Sequence, residues 1–206
     1  MRDGSAQPHP PDAERHVWLA IWRARLRRAG FSIVNKKDKS KLPDRKHPVH
    51  MPPVERHNQP VILFVTLAVK PRGNFLASQS FHLIFVDACR DADAWRVGRY
   101  VIMPDHVHLF CAPNRYPCVS VLHWTRFLKE RITKRLNESI MEGEAAPSRK
   151  ADRRWKWQPD CWDTQMRSSD HYHEKWLYAR DNPVRAELVD NVDQWPFQGE
   201  LNLLRW

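Results

Sequence analysis

Two short stretches of this chain carry side chains whose types and spacing suit chemistry. The first is Tyr100-Val-Ile-Met-Pro-Asp-His106-Val-His108-Leu-Phe-Cys-Ala-Pro113. Side chains alternate along a β-strand, so His106 and His108 share one face and Val107 points to the other. Two imidazoles about 7 Å apart along a strand are able to hold one divalent cation between them. The same spacing equally suits two half-exposed histidines with no ligand role. The second stretch is Trp176-Leu-Tyr178-Ala-Arg-Asp-Asn182-Pro183-Val-Arg-Ala-Glu-Leu-Val189. On a helix, Tyr178 and Asn182 project from one face, a turn apart. Asn offers a hard carbonyl oxygen that suits Mg2+ or Mn2+, and Tyr offers a phenolic nucleophile. The alternative is a tyrosine packed in the core and an asparagine capping the helix before Pro183.

The surrounding residues predict the elements that must position these groups. Val61–Val69 is rich in β-branched residues and reads as a strand, and Pro71-Arg-Gly-Asn74 as a turn. Ala77–Arg90 reads as a helix with Phe81, Ile84, Phe85 and Ala88 on one face. Arg96–Met103 and His106–Ala112 read as strands joined at Pro104-Asp105. Val119–Glu138 is the clearest helix, with an apolar stripe of Val121, Trp124, Leu128, Ile132 and Leu136 and a basic remainder. Residues 139–156 read as a mobile basic loop and Cys161–Met166 as a short strand. Asp170–Arg180 reads as a helix that must end by Pro183. The order β-α-β-β-α-β-α predicts an α+β fold. Its core is the ferredoxin-like split β-α-β-β-α-β arrangement, an antiparallel sheet with helices on one face, followed by a C-terminal helix that carries Tyr178.

Upstream of this domain, which begins at residue 59 in this reading, the sequence changes character. Residues 1–15 are polar and Pro-rich. Residues 13–29 predict a helix with Trp18, Ile21, Trp22 and Leu26 on one face, stopped by Gly30. Residues 35–60 hold five prolines and read as a basic linker that follows a nucleic-acid backbone or stays solvated.

Composition narrows the partners. The 206 residues include 34 Lys and Arg against 24 Asp and Glu, a formal charge of +10. Residues 1–60 contribute +7 of that charge. Such a balance argues for an anionic partner, nucleic acid before a membrane surface. No run of 18 apolar residues exists, which argues against a membrane span, and the first residues have no apolar core of a secretory signal. Four cysteines without a CxxC pair read as small reduced hydrophobes. Most of the ten tryptophans read as core.

Taken together and in this order, the two chemical stretches resemble a known family. The chain resembles the single-tyrosine HUH (His-hydrophobic-His) transposases, and among them the REP-associated tyrosine transposase (RayT-like) branch. The resemblance runs from Val61 to Pro196. It rests on Phe64-Val-Thr-Leu, on Tyr100-Val-Ile-Met-Pro-Asp-His-Val-His-Leu, and on Trp157-Gln-Pro-Asp-Cys-Trp-Asp. It is completed by Tyr178-x-x-x-Asn-Pro-Val-Arg-Ala-x-Leu-Val with Trp195-Pro196 after it. The first 60 residues have no counterpart in it.

The resemblance implies roles. His106, His108 and Asn182 would hold one Mg2+ or Mn2+, and Tyr178 would be the nucleophile of a metal-dependent DNA strand-cleaving and strand-joining enzyme. Single-stranded DNA would be cut through a 5′-phosphotyrosine link, at hairpins with flanking single strands. A monomer or homodimer in the bacterial cytoplasm, associated with the nucleoid, would follow. DNA contacts are expected from Arg126 and Lys129 on the basic helix, from Arg149, Lys150, Arg153 and Arg154 in the loop, from Trp155 as a stacking platform, and from Arg185. Tyr172 is the competing nucleophile, six residues upstream and on a different helical face. Two rivals use the same residues: a hairpin-DNA-binding protein without chemistry, and a phosphodiesterase that uses water.

Overall fold

The computed structural model describes residues 60–142 and 155–205, with His50, Pro53 and Val54. The helix predicted over 13–29 and the loop residues Arg149, Lys150, Arg153 and Arg154 lie outside the described residues.

The order of elements matches the sequence pattern closely. Strand β1 is Leu63–Lys70, helix α1 Gln79–Asp91, β2 Trp95–Ile102, β3 His106–Pro113 and helix α2 Val121–Glu142. A two-residue strand β4, Lys156–Trp157, and β5, Trp162–Gln165, come next. Helix α3, Ser169–Arg180, and a one-turn helix α4, Asn182–Arg185, follow. Strand β6, Gln198–Glu200, has no period-two signal in the sequence and adds to the edge of β2. The sheet order β4-β1-β3-β2-β6, with β5 also paired to β1, is antiparallel throughout. It contains the 4-1-3-2 order expected of the split β-α-β-β-α-β core.

Period-two alternation divides β1 and β3 between two cores. Leu63, Val65, Leu67 and Val69 join Val107, Leu109 and Cys111 beneath α1 and α2. Phe81 and Phe85 of α1, and Trp124, Leu128 and Ile132 of α2, close that side. Its tryptophans are satisfied: Trp124 Nε1 donates to the Ala92 carbonyl at 2.7 Å and Trp95 Nε1 to that of Val119 at 2.9 Å. Phe64, Phe110 and Ala112 face the other way, against Ala179, Tyr172 and Trp176 of α3 and against Trp195. The two core helices therefore share one face of the sheet and α3 covers the opposite one.

Local chemistry sets the ends of α3. Ser168 caps its start, accepting the His171 N–H at 3.1 Å. Pro183 has no N–H to continue the ladder, so α3 stops at Arg180 and the chain restarts as α4 with Pro183 in its first turn. Upstream, the Val54 N–H donates to Gln165 Oε1, and Gln165 Nε2 donates to the Val54 carbonyl, both at 2.8 Å. Part of the stretch read as a solvated linker is thus held along β5. No helix among the described residues is long and apolar enough to cross a membrane.

Candidate active site

His106 and His108 lie on the face of β3 that meets α3. Their rings are 4.7 Å apart, centroid to centroid. His108 is 6 % exposed, stacked on Phe64 at 5.1 Å. Each ring is fixed through Nδ1. Asp105 Oδ1 accepts from His106 Nδ1 at 2.6 Å, and Thr66 Oγ1 lies 2.8 Å from His108 Nδ1, directly across the β1–β3 ladder. A carboxylate only accepts, so His106 carries a proton on Nδ1, and its neutral form presents the Nε2 lone pair. With Nδ1–H donating to Thr66, His108 does the same. Asp105, read from sequence as a plain turn residue, is therefore the group that sets the His106 tautomer. Burial, and then the charges of His106, Arg185 and Lys175, hold His108 down at about 3. It is neutral at physiological pH, as a ligand must be.

Tyr178 faces this pair. Its ring centroid is 5.9 Å from that of His108, and the residue is 42 % exposed. Two cations flank it: Arg185 Cζ lies 4.3 Å and Lys175 Nζ 5.7 Å from the ring centre. Arg185 also donates to Asn182 Oδ1 and, at 3.2 Å, to the Tyr178 carbonyl. Tyr172 belongs elsewhere. Its ring packs on Phe110 at 4.5 Å, Arg99 covers it at 5.8 Å, and its hydroxyl is buried without a hydrogen-bond partner.

The donor set fits a divalent cation. Both imidazoles have Nδ1 engaged, which directs Nε2 outward, and Asn182 Oδ1 keeps one lone pair beyond the bond from Arg185. Asn182 Nδ2 is buried and unpaired, so the amide is held only through its oxygen. An amide and two neutral imidazoles carry no formal charge, so a cation held by these groups would keep its full charge for an anionic partner.

Two expectations about DNA contacts change, and a third residue is placed away from the histidines. Trp155 is no open platform. It is 7 % exposed, in the core beneath the helices, with Phe75 and Trp157 against it. Lys129 is 5 % exposed and donates to the carbonyls of Gln158 and Asp160 at 3.0 and 2.8 Å, so its charge holds the β4–β5 turn. Arg126 is exposed, but on α2, across the sheet from the histidines. Its neighbours Arg131 and Arg135 are tied to Asp91 of α1 at 3.2 and 2.7 Å.

Sequence reasoning missed Thr66, Lys175 and Trp162. Trp162 is 45 % exposed and pairs with Thr66 across β1–β5, which turns its ring to the histidine face. Lys175 was accessible, since it precedes Tyr178 by three residues on one helix. Thr66 was not, because 42 residues separate it from His108.

No protein-family model and no curated protein sequence matches the chain. Solved structures do. Over 72 % of its length, and 82 % of the other chain, it is similar to a REP-associated tyrosine transposase bound to a REP hairpin, with a TM-score of 0.51 and 20 % identity. A candidate transposase from Deinococcus radiodurans R1 aligns over 64 % of this chain and 97 % of its own, with a TM-score of 0.38 and 17 % identity. The first likeness defines the class: an α+β fold with an antiparallel sheet. Within that class, the fold is that of a REP-associated tyrosine transposase.

Proposed function

We propose that the protein cleaves and rejoins single-stranded DNA at hairpin, REP-like sequences through a 5′-phosphotyrosine on Tyr178. The observation that carries this reading is the meeting, on one sheet face, of two imidazoles 4.7 Å apart with an accessible phenol 5.9 Å from the second. His106, His108 and Asn182 would hold the Mg2+ or Mn2+, which when bound supplies positive charge beside the phosphoryl oxygens.

The chain's own groups do the rest. Tyr178 Oη attacks the phosphorus as the phenol gives up its proton. The bond from phosphorus to the 3′ oxygen breaks, and that oxygen takes up a proton to leave as a 3′-OH. Rejoining runs the same exchange backwards, so no nucleotide cofactor is needed. Arg185 and Lys175 set positive charge beside the phenol, where a backbone phosphate must sit. Trp162, exposed on the same face, offers the base-stacking surface that Trp155 does not. Arg126 and the loop residues Arg149, Lys150, Arg153 and Arg154 add phosphate contacts farther out. Such a protein works in the bacterial cytoplasm at the nucleoid, alone or as a homodimer.

The test is incubation of the full chain with hairpin oligonucleotides bearing single-stranded flanks and Mn2+, followed by denaturing electrophoresis. A covalent protein–DNA band that depends on Tyr178 is the expected result. Retarded hairpins without the band would identify a binding protein without chemistry. Cleavage without the band would identify a hydrolase that uses water.

A further inference from the structure

A second cluster of ligand atoms lies on the opposite face of the sheet. Asp163 pairs with Val65, and both point toward the α1/α2 core, away from His106 and His108. Beside it, Cys161 is 1 % exposed. His50 reaches them from 113 residues upstream, with Nδ1 on Asp163 Oδ1. One ring nitrogen of His50, Cys161 Sγ and an Asp163 carboxylate oxygen all lie within 4.8 Å of one another. Tetrahedral zinc sets its N, O and S ligands about 3.3–3.8 Å apart, so small rotations complete the geometry. The ring's far side is already held: Asp160 Oδ1 sits 2.5 Å from His50 Nε2 and also accepts the Cys161 N–H at 3.0 Å. A carboxylate behind a histidine in this way fixes the tautomer that offers the other nitrogen to a metal.

We propose that His50, Cys161 and Asp163 form a zinc site, with water as the fourth ligand, that ties His50 to the β4–β5 edge, with Asp160 as the positioning carboxylate. Charge supports it. Once metal displaces the thiol proton and His50 is neutral, Cys161, Asp160 and Asp163, offset by the buried Lys129 ammonium, leave minus two, which a divalent cation cancels. The Thr125 hydroxyl donates to the Leu122 carbonyl at 3.1 Å and its oxygen lies 3.5 Å from Cys161 Sγ, a polar neighbour for the sulfur. A mixed N, S, O set selects Zn2+ over the Mg2+ or Mn2+ of the first site. Binding releases the thiol proton to solvent. The site is independent of strand cleavage, and its failure leaves that reading untouched.

The experiment uses the full chain with His106→Ala and His108→Ala, so that only the second site remains. The protein is stripped with chelator and titrated with Co2+, then Zn2+. One equivalent of Co2+ should raise a thiolate-to-cobalt charge-transfer band that Zn2+ abolishes, and Zn2+ should raise the thermal midpoint. Cys161→Ser should remove the band. Asp160→Asn should weaken Co2+ binding about 10- to 100-fold, as loss of an orienting carboxylate does. His50→Gln should weaken it at least as much, and it decides the matter if Cys161→Ser does not fold. No band, a band unchanged in Cys161→Ser or in His50→Gln, or a thermal midpoint that Zn2+ does not move overturns the proposal. His50 would then be an imidazolium held between two carboxylates.

Discussion

The guanidinium of Arg185 lies 4.3 Å from the centre of the Tyr178 ring. From there it donates to Asn182 Oδ1 and to the Tyr178 carbonyl. One side chain thus ties the phenol to the amide one turn beyond it, across the break that Pro183 makes between α3 and α4. A cation over a tyrosine face contributes about 0.5–2 kcal/mol. Arg185→Ala should therefore slow single-turnover adduct formation roughly 2- to 30-fold through lost positioning. Arg185→Lys, which cannot lie flat or bond at two points, should recover only part of the rate. An Ala variant as fast as the parent would remove Arg185 from the account.

Tyr178→Phe should keep hairpin binding and lose the covalent band, because it deletes only the attacking oxygen. Tyr172→Phe should keep the band. It should also leave the thermal midpoint unchanged or raise it slightly, since the Tyr172 hydroxyl is buried without a partner. Loss of the adduct in Tyr172→Phe with retention in Tyr178→Phe would reverse the assignment.

Thr66→Val preserves the shape of β1 and deletes the oxygen 2.8 Å from His108 Nδ1. Asp105→Ala removes the corresponding acceptor from His106 Nδ1. Each should lower Mn2+ affinity about 10- to 100-fold, with the circular dichroism spectrum unchanged. Titration calorimetry reads this directly, and unchanged affinities would mean that the rings need no such partner.

Lys129→Met should destabilise the fold without altering DNA binding. It leaves the carbonyls of Gln158 and Asp160 short of a donor, at a cost of about 1–3 kcal/mol. Urea denaturation measures that loss. The salt dependence of hairpin binding should keep its slope in Lys129→Met and fall by about one unit in Arg126→Ala. A slope that moves only in Lys129→Met would return that lysine to the DNA-binding surface.

Stability of the metal-free protein should fall with acid through its buried histidines. Burial lowers His82, and it takes His108 to about 3. In the unfolded chain both histidines bind protons near about 6.5. Between those values the unfolded state holds more protons, so the stabilisation present above about 6.5 is lost as pH falls toward 3. Urea midpoints measured across that window should decline steadily and less steeply in His82→Leu. A midpoint flat across the window would show that these rings are wetter than the fold makes them.

Much of the site was determined by the sequence itself, because its spacing rules are local. Alternation along β3 put His106 and His108 on one face, and the missing N–H of Pro183 ended the helix that carries Tyr178. The apolar stripe from Val121 to Ile132 located α2 by its helical period alone. What only the tertiary structure decided concerns residues joined across long stretches of chain. Thr66 meets His108 through a β1–β3 register, and His50 meets Asp163 across 113 residues. Neither pairing leaves a trace in local periodicity. Burial was the other hidden variable. Lys129 and Trp155 sit in a basic, aromatic sequence that reads as a DNA-facing surface, yet both turn inward. Lysine's long apolar stem and tryptophan's large ring serve a core as readily as a groove, and only packing against α1, β4 and the β4–β5 turn determines which they serve.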